Sequence, residues 1–418
     1  MRKMKDSGVE WIGEIPADWK LSKIGSVYDE RNEKVSDKDF APLSVAKQGI
    51  VPQLETAAKT DNGDNRKLIR KDDFVINSRS DRRGSCGISE YEGSCSLINT
   101  VLKPQTNMCN RYYGFVFKSD GFADEYYRWG HGIVDDLWST KWIDMKSIYI
   151  PAPDITEQER IADYLDAKCS KIDGIIEKQQ AIIEKLREFK LAKITEIVTR
   201  GLEKRVELKE INVEWVGQIP KSWKLCHIGM LAEIGSGGTP DRKKRDYWDG
   251  EIPWMASGEI NYEYVYDTVE KITELGMNNS NTKILPINTV MLGLIGQGKT
   301  KGMTAILKIE STCNQNLAYL IPNKELLHYE YLFYCFKAMY IYMRGIVGES
   351  QAGIYQGFLK KQYIPLPPID IQIKISELLN SICSKVNRSI QNREQIIEEL
   401  NEYKKSLIYE VVTGKKEV

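Results

Sequence analysis

One stretch of the sequence has the spacing of a phosphate-binding loop. GLIGQGKT, at residues 293–300, satisfies the pattern G-x-x-x-x-G-K-[ST], in which backbone amides and the lysine surround the phosphates of a nucleotide. That chemistry requires a helix to begin at Lys299, because the amides and dipole of a helix N-terminus attract the anion. KGMTAILKIE follows this stretch at residues 301–310 instead, and its β-prone residues favour the second strand of a hairpin. We therefore interpret the stretch as a glycine-rich turn, with a nucleotide-binding protein as one alternative.

Other groups that carry catalysis are few. The three histidines, His131, His227 and His328, are scattered along the chain and indicate no Ser-His-Asp or Cys-His arrangement. The eight cysteines form no C-x-x-C pair, so we expect buried thiols and no metal site. The sequence therefore predicts neither a catalytic centre nor a cofactor bound by this chain.

The composition indicates a globular protein of more than one domain. Its 418 residues exceed the usual size of a single domain, and no window approaches the run of about 18 apolar residues that a membrane-spanning helix requires. The N-terminal MRKMKDSGVE lacks the apolar segment of a secretion signal, so a cytoplasmic location is expected. Since 59 basic residues balance 59 acidic ones, any binding of nucleic acid must use local patches or partners.

The sequence repeats itself at two places. WIGEIPADWK begins at Trp11 and returns as WVGQIPKSWK at Trp215, 204 positions later. YIPAPDITEQERIADYLDAKCSKID begins at Tyr149 and returns as YIPLPPIDIQIKISELLNSICSKVN at Tyr363, 214 positions later. These repeats indicate two copies of one domain, each followed by a helix. We predict domains at residues 1–152 and 211–366, a first long helix with its linker at 153–210, and a second long helix at 367–418.

Both copies have the pattern of a mixed α/β domain. Short β-prone runs such as DFVINS (residues 73–78) and TVMLGLIG (289–296) alternate with turns rich in Gly, Asn, Asp and Pro. Helical segments are predicted around residues 112–127 and 329–343, whose aromatic side chains would pack on a sheet. The tryptophans of the repeated phrase are predicted core residues: Trp11, Trp19, Trp215 and Trp223.

The segment after each domain has the features of one long helix. Residues 155–200 contain no proline and one glycine, Gly174, and would extend roughly 70 Å as a continuous helix. Thr156 and Glu159 form a T-x-x-E capping box, and Gly201 occupies the position of a helix-ending glycine. The sequence thus predicts both ends of the first long helix.

A heptad pattern predicts that the two long helices pair as an antiparallel coiled coil. This pairing would bury the apolar rows and place the two domains in a pseudo-two-fold arrangement. Gln179 and Arg393 are equivalent positions, where a polar residue either fixes register or extends to solvent. One row is Leu165, Ile172, Gln179, Leu186 and Lys193 with Leu379, Val386, Arg393, Leu400 and Leu407, and the other is Ile161, Lys168, Ile175, Ile182 and Phe189 with Ile375, Ile382, Ser389, Ile396 and Tyr403.

Several motifs resemble one known family. GEIPADWK and GQIPKSWK open the two halves, SGGTPDRKKRDYWDGEIPWMASGEI covers residues 236–260, and TCNQNLAYLIP covers 312–322. Together with the junction from YIPLPP to a long helix, they resemble the target-recognition domains of type I restriction-modification specificity subunits. The resemblance extends over essentially the whole chain. The first copy differs most, because it lacks clear SGGTP and IPW segments and has CSLI, from Cys95, in place of CNQN.

The resemblance implies a non-catalytic subunit that reads double-stranded DNA. Each recognition domain would read one half of a split target, while the helices set the gap and bind two methyltransferase subunits. S-adenosylmethionine and ATP would be expected on partner subunits, which could include restriction subunits. The sequence contains no NPPY-type or DPPY-type methyltransferase tetrad and no recognisable pair of nuclease carboxylates. A coiled-coil adaptor that binds only protein is the second alternative.

Basic and amide side chains near turns are the candidate DNA contacts. Arginine matches the major-groove acceptors of guanine as well as phosphate, and the basic run 242–245 suits phosphate, although its aspartate neighbours also fit a solvated loop. Glutamine and asparagine amides can pair with adenine, but Asn314 and Gln315 could equally cap a turn. The candidates are Lys47, Gln48, Arg79, Arg82 and Arg83 in the first copy, and Arg242, Lys243, Lys244, Arg245, Gln297, Lys299, Lys301, Asn314 and Gln315 in the second.

Overall fold

The chain divides into two compact units. The computed structural model describes residues 2–53, 63–79, 82–132, 138–203, 205–295, 299–347 and 354–418. The first unit is formed by Met1–Gln180 with Glu394–Val418, and the second by Ala181–Arg393. Both boundaries fall inside long helices, so each unit contains one globular domain and a part of each long helix.

The first unit is a mixed α/β structure that ends in a long helix. Its helices are α1 (Asn110–Lys118), α2 (Asp120–Arg128), α3 (Trp142–Met145) and α4 (Ile155–Arg200), which continues into the second unit. Its strands are β1 (Met4–Asp6), β2 (Glu14–Pro16), β3 (Lys20–Lys23), β4 (Tyr28–Glu30), β5 (Lys34–Val35), β6 (Leu43–Ala46), β7 (Gly49–Pro52), β8 (Arg66–Ile69), β9 (Phe74–Asn77), β10 (Cys86–Ile88), β11 (Gly93–Cys95), β12 (Asn99–Pro104) and β13 (Tyr149–Ala152).

The second unit is also a mixed α/β structure that ends in a long helix. Its helices are α5 (Glu274–Asn278), α6 (Tyr329–Val347), α7 (Gln356–Lys360) and α8 (Ile369–Val412), which continues into the first unit. Its strands are β14 (Leu208–Glu210), β15 (Gln218–Pro220), β16 (Lys224–His227), β17 (Ala232–Ser236), β18 (Trp248–Met255), β19 (Tyr264–Val265), β20 (Glu270–Ile272), β21 (Val290–Gly293), β22 (Thr304–Leu307), β23 (Thr312–Cys313), β24 (Leu317–Pro322) and β25 (Tyr363–Leu366).

The two units repeat one sheet order. The main sheet of the first unit runs β10-β9-β12-β4, and the second unit repeats it as β22-β21-β24-β17, with β19 added parallel to β22. A three-stranded sheet accompanies each: β11-β8-β5 in the first unit and β20-β18-β23 in the second. The pairs β9–β10 and β21–β22 are antiparallel hairpins at the same place in the repeated order. The predicted mixed α/β class and the duplication are therefore confirmed.

The repeated sequence phrases form equivalent elements. EIP and QIP, which follow the first tryptophan of each phrase, are strands β2 and β15, each paired with the strand before it. YIPA and YIPL are strands β13 and β25, paired antiparallel with β3 and β16. The four tryptophans of the phrase are buried, as predicted: Trp11, Trp19, Trp215 and Trp223.

Aromatic side chains pack the predicted helices on the sheets. In the first unit the rings of Phe74 on β9 and Phe117 on α1 lie 4.7 Å apart between centroids, and in the second unit Tyr331 and Phe333 of α6 are buried. The first predicted helical segment is divided, because Ser119 leaves the helical conformation and its hydroxyl accepts a bond from Phe122 N. This capping signal separates α1 from α2.

The cysteines are free thiols. Within the described ranges seven are buried, and Cys226 is half-buried. Burial raises the pKa of Cys86 and of Cys313 to about 12, so these thiols stay protonated at neutral pH and act as small apolar side chains.

The long helix α4 has the predicted length but a different N-cap. Its last residue is Arg200, and Gly201 follows with φ of 79° and donates to the carbonyl of Ile197 (3.0 Å), as predicted. The predicted capping box of Thr156 and Glu159 is wrong. Asp154 caps the helix instead, since its carboxylate accepts a bond from the amide N–H of Glu157 (2.9 Å).

The helix pairing is confirmed within each unit, with one heptad row corrected. In the first unit Lys404 of α8 pairs with Asp173 of α4 (2.7 Å), while the end of α8 at Val412 lies near Pro151, just before α4 begins, because both carbonyls contact the hydroxyl of Tyr112. The two segments are therefore antiparallel. The row containing Leu165, Ile172, Leu186, Leu379, Val386, Leu400 and Leu407 is buried or half-buried as predicted. Gln179 and Arg393 are half-buried, which agrees with the alternative that places polar residues within the row.

The second predicted row is only partly correct. Its members Ile161 and Ile375 are buried and Ile182, Ile382 and Ser389 are half-buried, whereas Lys168, Ile175, Phe189, Ile396 and Tyr403 are exposed. The row one residue later is buried or half-buried throughout: Ala162, Cys169, Ile176, Ile183, Lys190 and Ile197 with Ser376, Cys383, Ile390, Ile397, Lys404 and Val411. The prediction assigned the larger apolar side chains, such as Phe189, to the buried row. Cysteine packs as a small apolar residue and lysine buries its alkyl stem, so this row is harder to recognise.

Candidate nucleic-acid interface

Three sequence motifs of the second unit meet around Cys313. The amide of Gly238 donates to the carbonyl of Cys313 (2.9 Å), and the indole of Trp254 donates to the carbonyl of Gly238 (2.9 Å). A Cβ atom on Gly237 would lie 1.9 Å from the carbonyl oxygen of Cys313, so the backbones approach at a distance that only glycine allows. SGGTP, IPW and CNQN are thus parts of one packed junction.

A polar recess lies beside this junction. It is lined by the backbone of Gly237 and Gly238 and by Thr239, Gln315 and the segment 279–281. Gln315 is exposed, and the hydroxyl of Thr239 donates to its side-chain oxygen. This contact orients the amide, whose NH₂ group can then donate to acceptors at a base edge.

Asn314 has a structural role. Its side chain is 7% exposed, and its oxygen accepts a bond from the amide of Asn316 (3.1 Å). The side chain therefore caps the turn between β23 and β24. This agrees with the structural alternative for Asn314 and not with a DNA contact. We remove Asn314 from the candidate contacts.

The basic run 242–245 divides into supporting and exposed side chains. The guanidinium of Arg242 lies 3.8 Å from the ring centroid of Trp248 and forms a bidentate ion pair with Glu270. This hydrogen bonding from Arg242 lowers the pKa of Glu270. Lys244 donates to the hydroxyl of Tyr247 (3.0 Å). The other two basic side chains, Lys243 and Arg245, are exposed and remain candidates for phosphate contact.

The glycine-rich stretch begins at Gly293, the last residue of β21, and its described end, Lys299 and Thr300, precedes β22. Strand β22 begins at Thr304, and residues 299–303 contain no helical residue, so the helix N-terminus that a phosphate-binding loop needs is missing from this described segment. This finding does not favour the nucleotide-binding alternative. Lys299 is exposed, whereas Lys301 is 8% exposed and contributes its carbonyl to Arg344 (3.2 Å). Lys301 leaves the candidate set for this reason, and Gln297 lies outside the described residues.

The candidates of the first unit lie on two neighbouring loops. Arg79, Arg82 and Arg83 are exposed on the connection between β9 and β10, and Arg83 pairs with Asp124 of α2. Lys47 and Gln48 form the exposed turn between β6 and β7. These loops are adjacent, because a Cβ on Gly87 of β10 would lie 3.0 Å from the Cα of Gly49, which follows the turn.

The two units therefore place cationic side chains on equivalent hairpins. The β9–β10 connection carries three arginines, and the β21–β22 connection carries Lys299. Both partners of the Arg83–Asp124 pair are about half exposed, so this ion pair is weak and can exchange for a contact with phosphate. The arrangement can bind a polyanion at two similar places on one chain.

Part of the chain is similar to a known protein family. The family described as "Type I restriction modification DNA specificity domain" matches residues 220–402, which include most of the second domain and most of α8. The specificity subunit of the type I restriction enzyme MjaIX of Methanocaldococcus jannaschii is 34% identical over 201 residues, which are 46% of this chain and 44% of that protein. Residues 220–402 of the chain are therefore similar to the type I restriction-modification DNA specificity domain.

Other relatives extend the similarity over the chain. The specificity subunit of EcoR124I/EcoR124II of Escherichia coli is 27% identical over 61% of this chain and 62% of its own length. The chain thus matches about half of the length of these two curated relatives. A solved structure from a study of complex assembly and conformational transition of the type I R-M system covers 96% of this chain and 99% of its own, with 14% identity and a TM-score of 0.74. This likeness concerns the fold.

The fold of the second unit brings together residues that sequence reasoning did not select. Thr239 and the segment 279–281 line the recess beside Gln315, although they are distant in sequence. The run NNSN at residues 278–281 was a turn signal that could have indicated them. Within the described ranges, no group of three His, Cys, Asp or Glu residues is placed to hold a metal ion. No described helix is long and apolar enough to cross a membrane.

Proposed function

We propose that the chain is the non-catalytic DNA-reading subunit of a type I restriction-modification complex and that each unit reads one half of a two-part target. One observation carries this proposal. The β9–β10 and β21–β22 hairpins occupy the same place in the repeated sheet order, and both carry exposed cationic side chains. Two equivalent DNA-binding hairpins on one chain suit a divided DNA site. Its two half-sites would be separated by a distance related to the helical repeat of DNA.

The long helices are the elements that would set the gap between the two half-sites. Each of α4 and α8 contributes residues to both units. A change in the length of either helix would therefore alter a segment that both units share. A continuous helix transmits a change of length directly, at about 1.5 Å per residue. Base pairs in the gap would then be spanned without being read.

Methyltransferase subunits are the proposed protein partners, with S-adenosylmethionine and ATP bound outside this chain. Phe189 on α4 and Tyr403 on α8 are equivalent positions, 214 residues apart. Their side chains are 47% and 52% exposed, which is unusual for large aromatic residues on paired helices. One such ring in each unit is consistent with one partner copy on each, and restriction subunits could join the same complex.

The test is to co-express the chain with its methyltransferase subunit in a bacterial host that lacks adenine methylation and to map methylated adenines across the genome. We expect a single divided motif with a constant gap. A stable complex that leaves no sequence-specific mark would overturn the proposal and favour the protein-only adaptor. A Gln315→Ala variant in the same host should change the specified bases of one half of the motif only.

A further inference from the structure

A cationic groove lies on the second unit beside the β21–β22 hairpin. We call it the Lys190 groove, and it is lined by Arg187, Lys190 and Leu191 of α4, Lys299 of the hairpin, and Lys337 and Tyr340 of α6. The hydroxyl of Tyr340 donates to the carbonyl of Lys299 (2.8 Å). This bond holds the hairpin segment against α6, so the four cations are brought together by three separate elements.

The carboxylates at the groove balance only part of its charge. Lys337 pairs with Glu263, and Arg187 pairs with Glu184 (2.5 Å). Lys190 donates to the side-chain oxygen of Asn387 (2.8 Å), an amide that supplies no negative charge. Lys299 is exposed. Among the residues of the unit that the structure describes, Lys190 and Lys299 pair with no carboxylate, which leaves two positive charges for an anion from outside the unit.

The first unit shows how the same lysine is neutralised elsewhere. Lys404 is equivalent to Lys190, and Asp173 is equivalent to Asn387, since both pairs are 214 positions apart. Lys404 lies 2.7 Å from both carboxylate oxygens of Asp173. Asn387 of the second unit thus replaces the carboxylate of Asp173 with an uncharged amide. Of the two equivalent lysines, Lys404 has a carboxylate partner and Lys190 has none among the described residues.

Keeping that charge has an energetic cost. Burial, followed by repulsion from Lys337, lowers the pKa of Lys190, and Glu263 offsets only part of this effect. A half-buried ammonium without a carboxylate destabilises the folded unit unless an anion approaches it. A groove with apolar walls and one sign of charge also concentrates the potential that attracts such an anion.

We propose that the Lys190 groove binds a backbone phosphate of the target DNA, which gives the second unit a phosphate anchor that the first unit lacks. The inference rests on the proposed function. DNA is favoured over an acidic protein segment because Lys299 belongs to the β21–β22 hairpin, the proposed DNA-binding element of the second unit. A duplex bound at that hairpin would bring its phosphate backbone to the groove. A phosphate contact positions the duplex and carries no sequence information.

The experiment compares Lys190→Gln with the matched variant Lys404→Gln in the complex assembled with methyltransferase subunits. Specific DNA binding is measured over a range of salt concentrations. For Lys190→Gln we expect several-fold weaker binding and a slope of log K against log salt that is smaller by about 0.9, as for the loss of one phosphate contact. Lys404→Gln should leave affinity and slope unchanged, and both variants should recognise the original sequence.

A second variant keeps the lysine and supplies its missing partner. Asn387→Asp places in the second unit the carboxylate that Asp173 provides in the first, and it should reproduce the effect of Lys190→Gln on the salt slope. Unchanged slopes in both variants, with specific binding intact, would overturn the phosphate anchor and leave the proposed function standing. Weaker assembly with methyltransferase subunits at an unchanged DNA slope would also overturn it, in favour of an acidic protein segment. Absence of specific binding in the unmodified complex would instead contradict the proposed function.

Discussion

The hydroxyl of Tyr331 lies 3.1 Å from the carbonyl oxygen of Val198, in the last turn of α4. Tyr112 makes the equivalent contact with Val412, the last residue of α8 (3.0 Å). Both tyrosines are fully buried. Carbonyl groups at a helix C-terminus lack partners within the helix, so each globular domain binds the end of the long helix that began in the other unit.

The tyrosine hydroxyls should contribute to stability. Tyr331→Phe would leave the buried carbonyls of Val198 and Pro365 without this donor, and we expect a loss of about 1–3 kcal/mol in the free energy of unfolding. Urea denaturation of the chain measures the change. The control is Tyr262→Phe, because Tyr262 is 60% exposed. Equal midpoints for the two variants would show that the helix-end contact contributes nothing.

The glycine-rich junction predicts a second stability effect. Gly237→Ala would place a Cβ atom 1.9 Å from the carbonyl oxygen of Cys313, and the backbone must move at a cost of about 1–3 kcal/mol or more. Gly258→Ala is the matched control, since its added Cβ would meet no atom within 4 Å. Hydrogen exchange of the second unit should rise in the first variant only. Similar protection in both variants would contradict the close approach.

Much of the fold could be predicted from sequence because it depends on local and repeated signals. The repeated phrases at Trp11 and Trp215 indicated the duplication, and Gly201 marked the end of α4. The second heptad row could be assigned only in part, since Cys169 and Lys190 are weak apolar signals beside Phe189. Which of two adjacent rows is buried depends on the partner helix, and the pattern of one helix alone does not contain that information.

The candidate site was harder to predict because exposure is a tertiary property. Lys301 and Asn314 have side chains suited to DNA, but both are buried in the folded second unit. Arg242 is occupied by Glu270, which lies 28 positions away in sequence. Sequence could indicate the hairpins that carry the arginines and Lys299, whereas the lack of a carboxylate beside Lys190 required the comparison of the two units in three dimensions.

The stability of the second unit should depend on pH through His328. Burial lowers the pKa of this imidazole from its ordinary value of 6.5, so below that value the unfolded chain binds more protons than the folded unit. Stability is then greatest above about pH 6.5 and falls on acidification. Denaturation at pH 7 and pH 5.5 measures the slope, which His328→Gln should reduce. An unchanged slope in this variant would assign the dependence to other groups.

The exposed aromatic pair should bind partners without stabilising the chain. Phe189→Ala and Tyr403→Ala remove side chains that are about half exposed, so we expect a change of under about 1 kcal/mol in unfolding free energy. Binding of methyltransferase subunits, followed by mass measurement of the complex, should fall by one copy for each substitution. Leu407→Ala is the opposite case, because it removes a buried side chain and should cost about 2–5 kcal/mol in stability. Full partner occupancy in the double aromatic variant would contradict this docking site.

The duplicated hairpins predict that recognition of the two half-sites can be altered separately. Arg82→Gln with Arg83→Gln should weaken or relax reading of one half-site by about 1–3 kcal/mol, because these exposed side chains lie on the hairpin of the first unit only. Binding to DNA with either half replaced measures the effect on each half. Arg111→Gln is the matched control, since Arg111 is an exposed arginine of the same unit that pairs with Asp163 and Asp166 of α4. Equal losses at both half-sites would mean that the hairpin supplies general attraction to DNA, whereas a loss confined to one half would assign that half to the first unit.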